Sequence, residues 1–163
     1  MLKFKVETKY DLSKLNKIIG EISNEYYIKV GIIGESKNKR NEDGLTNSEV
    51  GKVHEYGSVT KNIPERSFLR MPIFSKSKEI VQIAQKLIND ALKSNQFNKI
   101  QILKKLGKAC ENFIRDAFNT GGFGKWKALS QNRLDNKSGA NKNKPLVDTT
   151  QLRESITSAV EKD

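Results

Sequence analysis

The sequence predicts an α+β fold, with a small mixed or antiparallel sheet packed against two long antiparallel helices and long polar loops outside them. Three observations carry this prediction. Period-two alternation at 2–7 and a β-branched, aromatic run at 26–33 read as strands. Two segments, 80–91 and 102–117, keep helical spacing of apolar residues and are joined by the short link "KSNQFN". Two further stretches, 34–47 and 119–145, carry no hydrophobic period at all. A length of 163 residues fits one domain, here 1–163 as a whole.

In "LKFKVE", Leu2, Phe4 and Val6 share one face and Lys3, Lys5 and Glu7 the other, which describes a half-buried strand. The period then changes. Leu12, Leu15, Ile18, Ile19 and Ile22 fall on one helical face, with Asp11 placed to cap the orphan N–H groups. "YYIKVGII" reads as a second and more buried strand, and "GESKNKRNEDGLTN" as a polar loop. "SEVGKVHEYG" predicts a short helix capped by Ser48 and stopped by Gly57. "NIPERSFLRM" is then extended, because Pro64 turns the residue before it away from helix.

The two long helices follow. Ile80, Ile83, Ala84, Leu87, Ile88 and Ala91 line the first; Ile102, Leu103, Leu106, Cys110, Phe113, Ile114 and Ala117 line the second. Their short link makes them antiparallel neighbours. After Thr120 the pattern collapses into a Gly/Asn/Lys stretch with one tryptophan and little else to bury. Such a stretch is expected to order only against a partner. Near the C-terminus, Asp148 or Thr149 caps a short helix and "SITSAV" closes the chain as a strand.

The net charge is +11 and the pI near 9.7, so the chain should seek acidic company: nucleic acid, an anionic surface or an acidic protein face. Between Asn98 and Pro145 there are eleven Lys or Arg against three acids. No apolar run approaches the roughly 18–20 residues of a membrane span, and "MLKFKVETKY" has no uninterrupted apolar core of a signal peptide. The single cysteine, Cys110, leaves no internal disulfide to form. The expectation is a soluble protein made in the cytoplasm, without a membrane partner.

Candidate chemistry is sparse. His54 is the only histidine, and "HEYGS" puts Ser58 where a zincin needs its second ligand. Cys110 sits on the apolar face of a helix, where a thiol is inert packing. "GGFGKW" is not a phosphate loop, since Trp126 stands where Ser or Thr must follow the lysine. No catalytic pair, metal set or cofactor motif emerges, and no enzyme is expected. The basic tract, with Trp126 between Lys125 and Lys127, also suits a sequence-blind nucleic-acid-binding accessory protein.

Three segments in order, "VHEYGS…IPERSFLR", "FGKWKALS" and "LVDTTQLRESIT", resemble the tailed-phage neck, or head–tail joining, proteins. That group overlaps the proteins called virion morphogenesis and tail-completion proteins. The resemblance covers the chain from about Tyr26 onward, with the two long helices between the first and second segments. It implies a non-enzymatic virion subunit of a phage or prophage, made in the bacterial cytoplasm and assembled with itself into a ring, a hexamer. Its partners would be head-connector or head-closure proteins on one side and tail-terminator or tail-tube proteins on the other, with DNA passing the lumen. Interface roles then fall on His54, Glu55, Tyr56, Pro64, Arg66, Phe68, Leu69, Arg70, Trp126, Asp148, Thr149, Leu152 and Arg153. The chain departs from the family pattern where proline is frequent (Ser67), where glycine is frequent (Thr150), and in "QNRLDNKSG", where a threonine is frequent.

An extended "IPERSFLR" would alternate its side chains between two faces. Phe68 and Leu69 then serve as apolar anchors, with Phe68 filling a pocket while Arg66 and Arg70 reach carboxylates on the next subunit. The competing reading of the same residues is an ordinary core strand, with Phe68 buried in its own chain.

Overall fold

The computed structural model describes residues 12–23, 25–39, 44–136, 146 and 150–163. The strand expected at 2–7, its neighbour Asp11, and the capping and interface residues Asp148 and Thr149 lie outside the described residues. The first helix, α1, spans Leu12–Ser23, and strand β1 spans Tyr26–Ile32. Short α2 (Glu35–Asn38) precedes α3 (Asn47–Tyr56), and α4 (Arg70–Ser75) leads into α5 (Ser77–Lys93) and α6 (Lys99–Thr120). Two short helices, α7 (Gln131–Asp135) and α8 (Gln151–Glu154), come before the last strand, β2 (Ile156–Lys162).

The fold is α+β, and its sheet is antiparallel with two strands. β1 pairs with β2 from Tyr26 opposite Lys162 to Ile32 opposite Ile156. β1 is half-buried, with Tyr27 and Lys29 outward. Helix α6 lies across both strands. Gly107 permits that approach, because a Cβ there would stand 2.8 Å from the Ser158 hydroxyl.

Phe68, Ile114, Phe118, Leu152 and Ile156 form the core, which joins the extended segment, α6, α8 and β2. Helix α5 contributes no fully buried residue and leans on α4 and α6. A small core suits a charged chain with so many polar connections.

Three expectations need correction here. Helix α3 is capped by Thr46, not Ser48: Thr46 and Glu49 form a reciprocal capping box. The polar loop 34–47 is not structureless where it is described. It holds α2, and Asn38 accepts from the Ser48 backbone N–H at 2.7 Å. The stretch after Thr120 is likewise built, through α7 at least. Trp126 anchors it by packing edge-on against Phe118, 5.7 Å between ring centroids. The indole N–H also donates to the Ser67 carbonyl, and Arg66 holds the carbonyls of Lys127 and Ala128, so this segment is tied to the core at several points.

Candidate interaction site around Glu55 and Arg66

The helix α3 ends at Tyr56 and leaves the side chain of Glu55 pointing under the "IPERSFLR" segment. Glu55 is only 4% exposed, and its carboxylate is saturated with donors. The Ser67 hydroxyl donates to one oxygen at 2.7 Å, as do the Arg70 N–H at 3.1 Å and Arg70 Nε at 2.9 Å. The Phe68 and Leu69 N–H groups donate to the other oxygen at 2.7 and 2.9 Å. These amides lie at the start of α4, where a helix has unsatisfied N–H groups. Glu55 is therefore a capping acid supplied from another helix. Burial pushes its pKa up, but the hydrogen bonds from Leu69, Ser67 and Arg70 outweigh burial and hold it below the usual carboxylate range.

Arg70 completes the cradle. Its guanidinium also reaches Glu65 at 3.2 Å and lies 4.5 Å from the centroid of the Tyr56 ring. The hydrogen bond to Glu55, above all, raises its pKa.

Arg66 faces the other way and is 5% exposed. Its Nε donates to the Lys127 carbonyl at 3.0 Å and its Nη2 to the Ala128 carbonyl at 3.2 Å. Its backbone N–H donates to the carbonyl of His54 at 2.8 Å. Burial lowers the Arg66 pKa. Trp126 closes the arrangement by donating from Nε1 to the Ser67 carbonyl at 3.1 Å. Leu152 of α8 packs in the core beside Phe68, and Arg153 donates to Asn119 at 3.2 Å. His54, Tyr56 and Pro64 line an open groove with Lys127 and Ala128.

The expected roles of three residues change accordingly. Phe68 is 0% exposed and fills a pocket of its own chain, so it is no surface anchor. Arg66 and Arg70 do not project together. Extended geometry puts Arg66 and Phe68 on one buried face, and α4 begins at Arg70 and turns it toward α3. Arg66 binds carbonyls of its own chain, and Arg70 binds carboxylates of its own chain.

A second buried carboxylate was not singled out from the sequence. Glu111 on α6 accepts from the Ser158 hydroxyl at 2.8 Å and pairs with Lys108 at 2.8 Å and Arg115 at 3.1 Å. Burial raises its pKa, and Lys108 and Ser158 more than reverse that. Its spacing from Lys108 and Arg115, one helical turn each way, was the available signal.

Chemically, these groups hold backbone. Glu55 accepts from five donors of its own chain. Burial pushes the Cys110 thiol up, away from thiolate reactivity. Among the described residues no group of three or more His, Cys, Asp or Glu could hold a metal ion. No described helix is long and apolar enough to cross a membrane.

Compared with protein-family models, with curated proteins and with solved structures, the chain matches none. Thr150 adopts φ 57°. A β-branched residue is strained in that left-handed region, and glycine is not.

Proposed function

We propose that this chain is a structural protein of the phage neck, joining the head connector to the tail without catalysis. One observation carries the reading: the three separated segments of the resemblance interlock. Arg66 of the first segment holds the carbonyls of Lys127 and Ala128 in the second, and Trp126 of the second holds Ser67 of the first. Leu152 of the third packs in the core with Phe68 of the first. Such a lock makes the three segments one rigid module, and rigidity is what a joint between two assemblies needs. In this reading the pair α5 and α6 is antiparallel, the subunit closes a ring, a hexamer, within the virion, and DNA passes its lumen. Its partners are head-closure and tail-terminator or tail-tube proteins. The nucleic-acid-binding alternative rests on the basic tract, since the Trp126 indole N–H is committed to the Ser67 carbonyl.

What the lock leaves outward is the surface for partners. Tyr56 is 60%, Phe74 84% and Val59 99% exposed. Val59 sits on the turn closed by the Ser58–Ile63 bridge, so its side chain is presented on a fixed tip. Arg70→Ala is a poor probe of this surface, because it strips a partner from Glu55. Val59→Glu and Phe74→Glu are the better ones. In a particle-producing host, each should leave melting unchanged and yield unattached heads and tails. Particles that join normally with both variants would overturn the neck reading. Salt-sensitive DNA retention by the purified chain, with normal particles, would favour the alternative.

A further inference from the structure

The sheet has two outer edges, and they differ. The Asp163 N–H donates to the Glu25 carbonyl at 3.1 Å, and these two residues stand opposite each other in the register that pairs Tyr26 with Lys162. Opposite pairs in an antiparallel ladder alternate between hydrogen-bonded and non-bonded. Tyr27, Lys29 and Gly31 therefore commit their backbone groups to β2, while Tyr26, Ile28, Val30 and Ile32 turn theirs outward. On β2 the outward residues are Ile156, Ser158, Val160 and Lys162. The first is closed, since Arg115 Nη2 donates to the Ile156 carbonyl at 2.9 Å, which independently supports the parity. Among the described residues nothing closes the β1 edge in this way.

We propose that the edge of β1, which no described residue closes, is a self-association surface, on which β1 of a second copy adds antiparallel to make a four-stranded sheet in the order β2–β1–β1–β2. Only outward residues can pair with outward residues, so the apolar side chains of both copies fall on the α6 side. Placing Ile28 opposite Ile28 of the second copy sets Tyr26 opposite Val30. On the outer face it sets Tyr27 opposite Lys29, and Lys29 opposite Tyr27, a ring–cation pair made twice by symmetry. Shifting by one allowed step opposes Lys29 to Lys29 in one direction and Tyr27 to Tyr27 in the other, and either shift loses both ring–cation pairs. An edge lysine ordinarily discourages such pairing. Here Lys29 lies 2.5 Å from Glu161 and 5.5 Å from the Tyr27 ring, so its charge is already matched within the chain. The contact closes at two copies, and the pairing uses neither Val59 nor Phe74. Its failure leaves the neck reading standing, and a ring would use other faces.

Residue-resolved hydrogen exchange on the full chain, alongside sedimentation equilibrium over a wide concentration range, tests this. Amides of Tyr27, Lys29 and Gly31 should be protected at every concentration, and those of Ile28 and Val30 only as dimer forms. Ile28→Pro removes an outward amide but no bond between β1 and β2, and should weaken association roughly tenfold or more. Ile28→Val keeps the amide and should associate normally. A monomer at all concentrations, or a dimer with freely exchanging Ile28 and Val30 amides, would overturn the proposal. Protection of those two amides that ignores concentration would overturn it as well, since the edge would then be covered within one chain. If the proline variant does not fold, the exchange pattern decides.

Discussion

The indole N–H of Trp126 donates to the backbone carbonyl of Ser67 at 3.1 Å, across 59 positions of sequence. That bond, with the two that Arg66 makes to Lys127 and Ala128, ties the segment after α6 to the segment before α4. Neither segment has a regular ladder of its own, so side chains do for them what a sheet would otherwise do. Perturbations of this lock should act on stability first and on assembly through it.

Removing the Glu55 carboxylate leaves the N–H groups of Phe68, Leu69 and Arg70 without their acceptor. Glu55→Ala should destabilise by roughly 2–4 kcal/mol, read as a lower midpoint in chemical denaturation. Arg70→Ala should shift the midpoint in the same direction. Wild-type stability in Glu55→Ala would show that the cradle does not hold α4.

Stability should fall with acid. Glu55 and Glu111 have folded pKa values below the ordinary carboxylate range. In acid the unfolded chain therefore takes up protons before the folded one. The stabilisation is complete above the unfolded value, near ~4.3, and is lost as pH falls through the depressed folded values. Melting temperature should be flat from pH 7 to about pH 5 and drop below that, by the linkage just stated. Glu55→Gln should flatten the drop; an unaltered acid limb would contradict the assignment to Glu55.

Thr150→Gly should stabilise the chain. The Thr150 side chain makes no capping hydrogen bond, so little is lost, and the strain of φ 57° is relieved. Relief of about 1–2 kcal/mol, less the extra freedom glycine gives the unfolded chain, leaves a gain of roughly 0.5–1 kcal/mol. Thermal melts of the two proteins side by side measure it.

Gly122 is the opposite case. It has φ 68°, and an added Cβ would stand 2.3 Å from the Trp126 ring. Gly122→Ala should cost about 2–3 kcal/mol by forcing the indole from its place. Tryptophan emission should shift to the red in the folded variant, since Trp126 is the sole tryptophan. Unchanged emission would mean that the turn yields instead of the indole.

Local order was readable in the sequence where one segment's own pattern decides it. The apolar spacing of α5 and α6, the β-branched run of β1, the strand in "SITSAV" and the stop at Gly57 are all found in the structure. Each follows from periodicity or turn chemistry within about a dozen residues. The capping box of Thr46 and Glu49 was equally local and was open to reading. Tertiary structure alone decided that Phe68 belongs to the core, that Arg66 spends its guanidinium on two carbonyls, and that Glu55 caps a helix other than its own. The pairing of β1 with β2, separated by most of the chain, is of the same kind. No local pattern carries such information, because a buried polar group is stable only beside partners that chain topology brings to it. In "HEYGS" and "IPERSFLR" the sequence determined which residue types would be present, and the packing of α6 and Trp126 against them determined which were left facing outward.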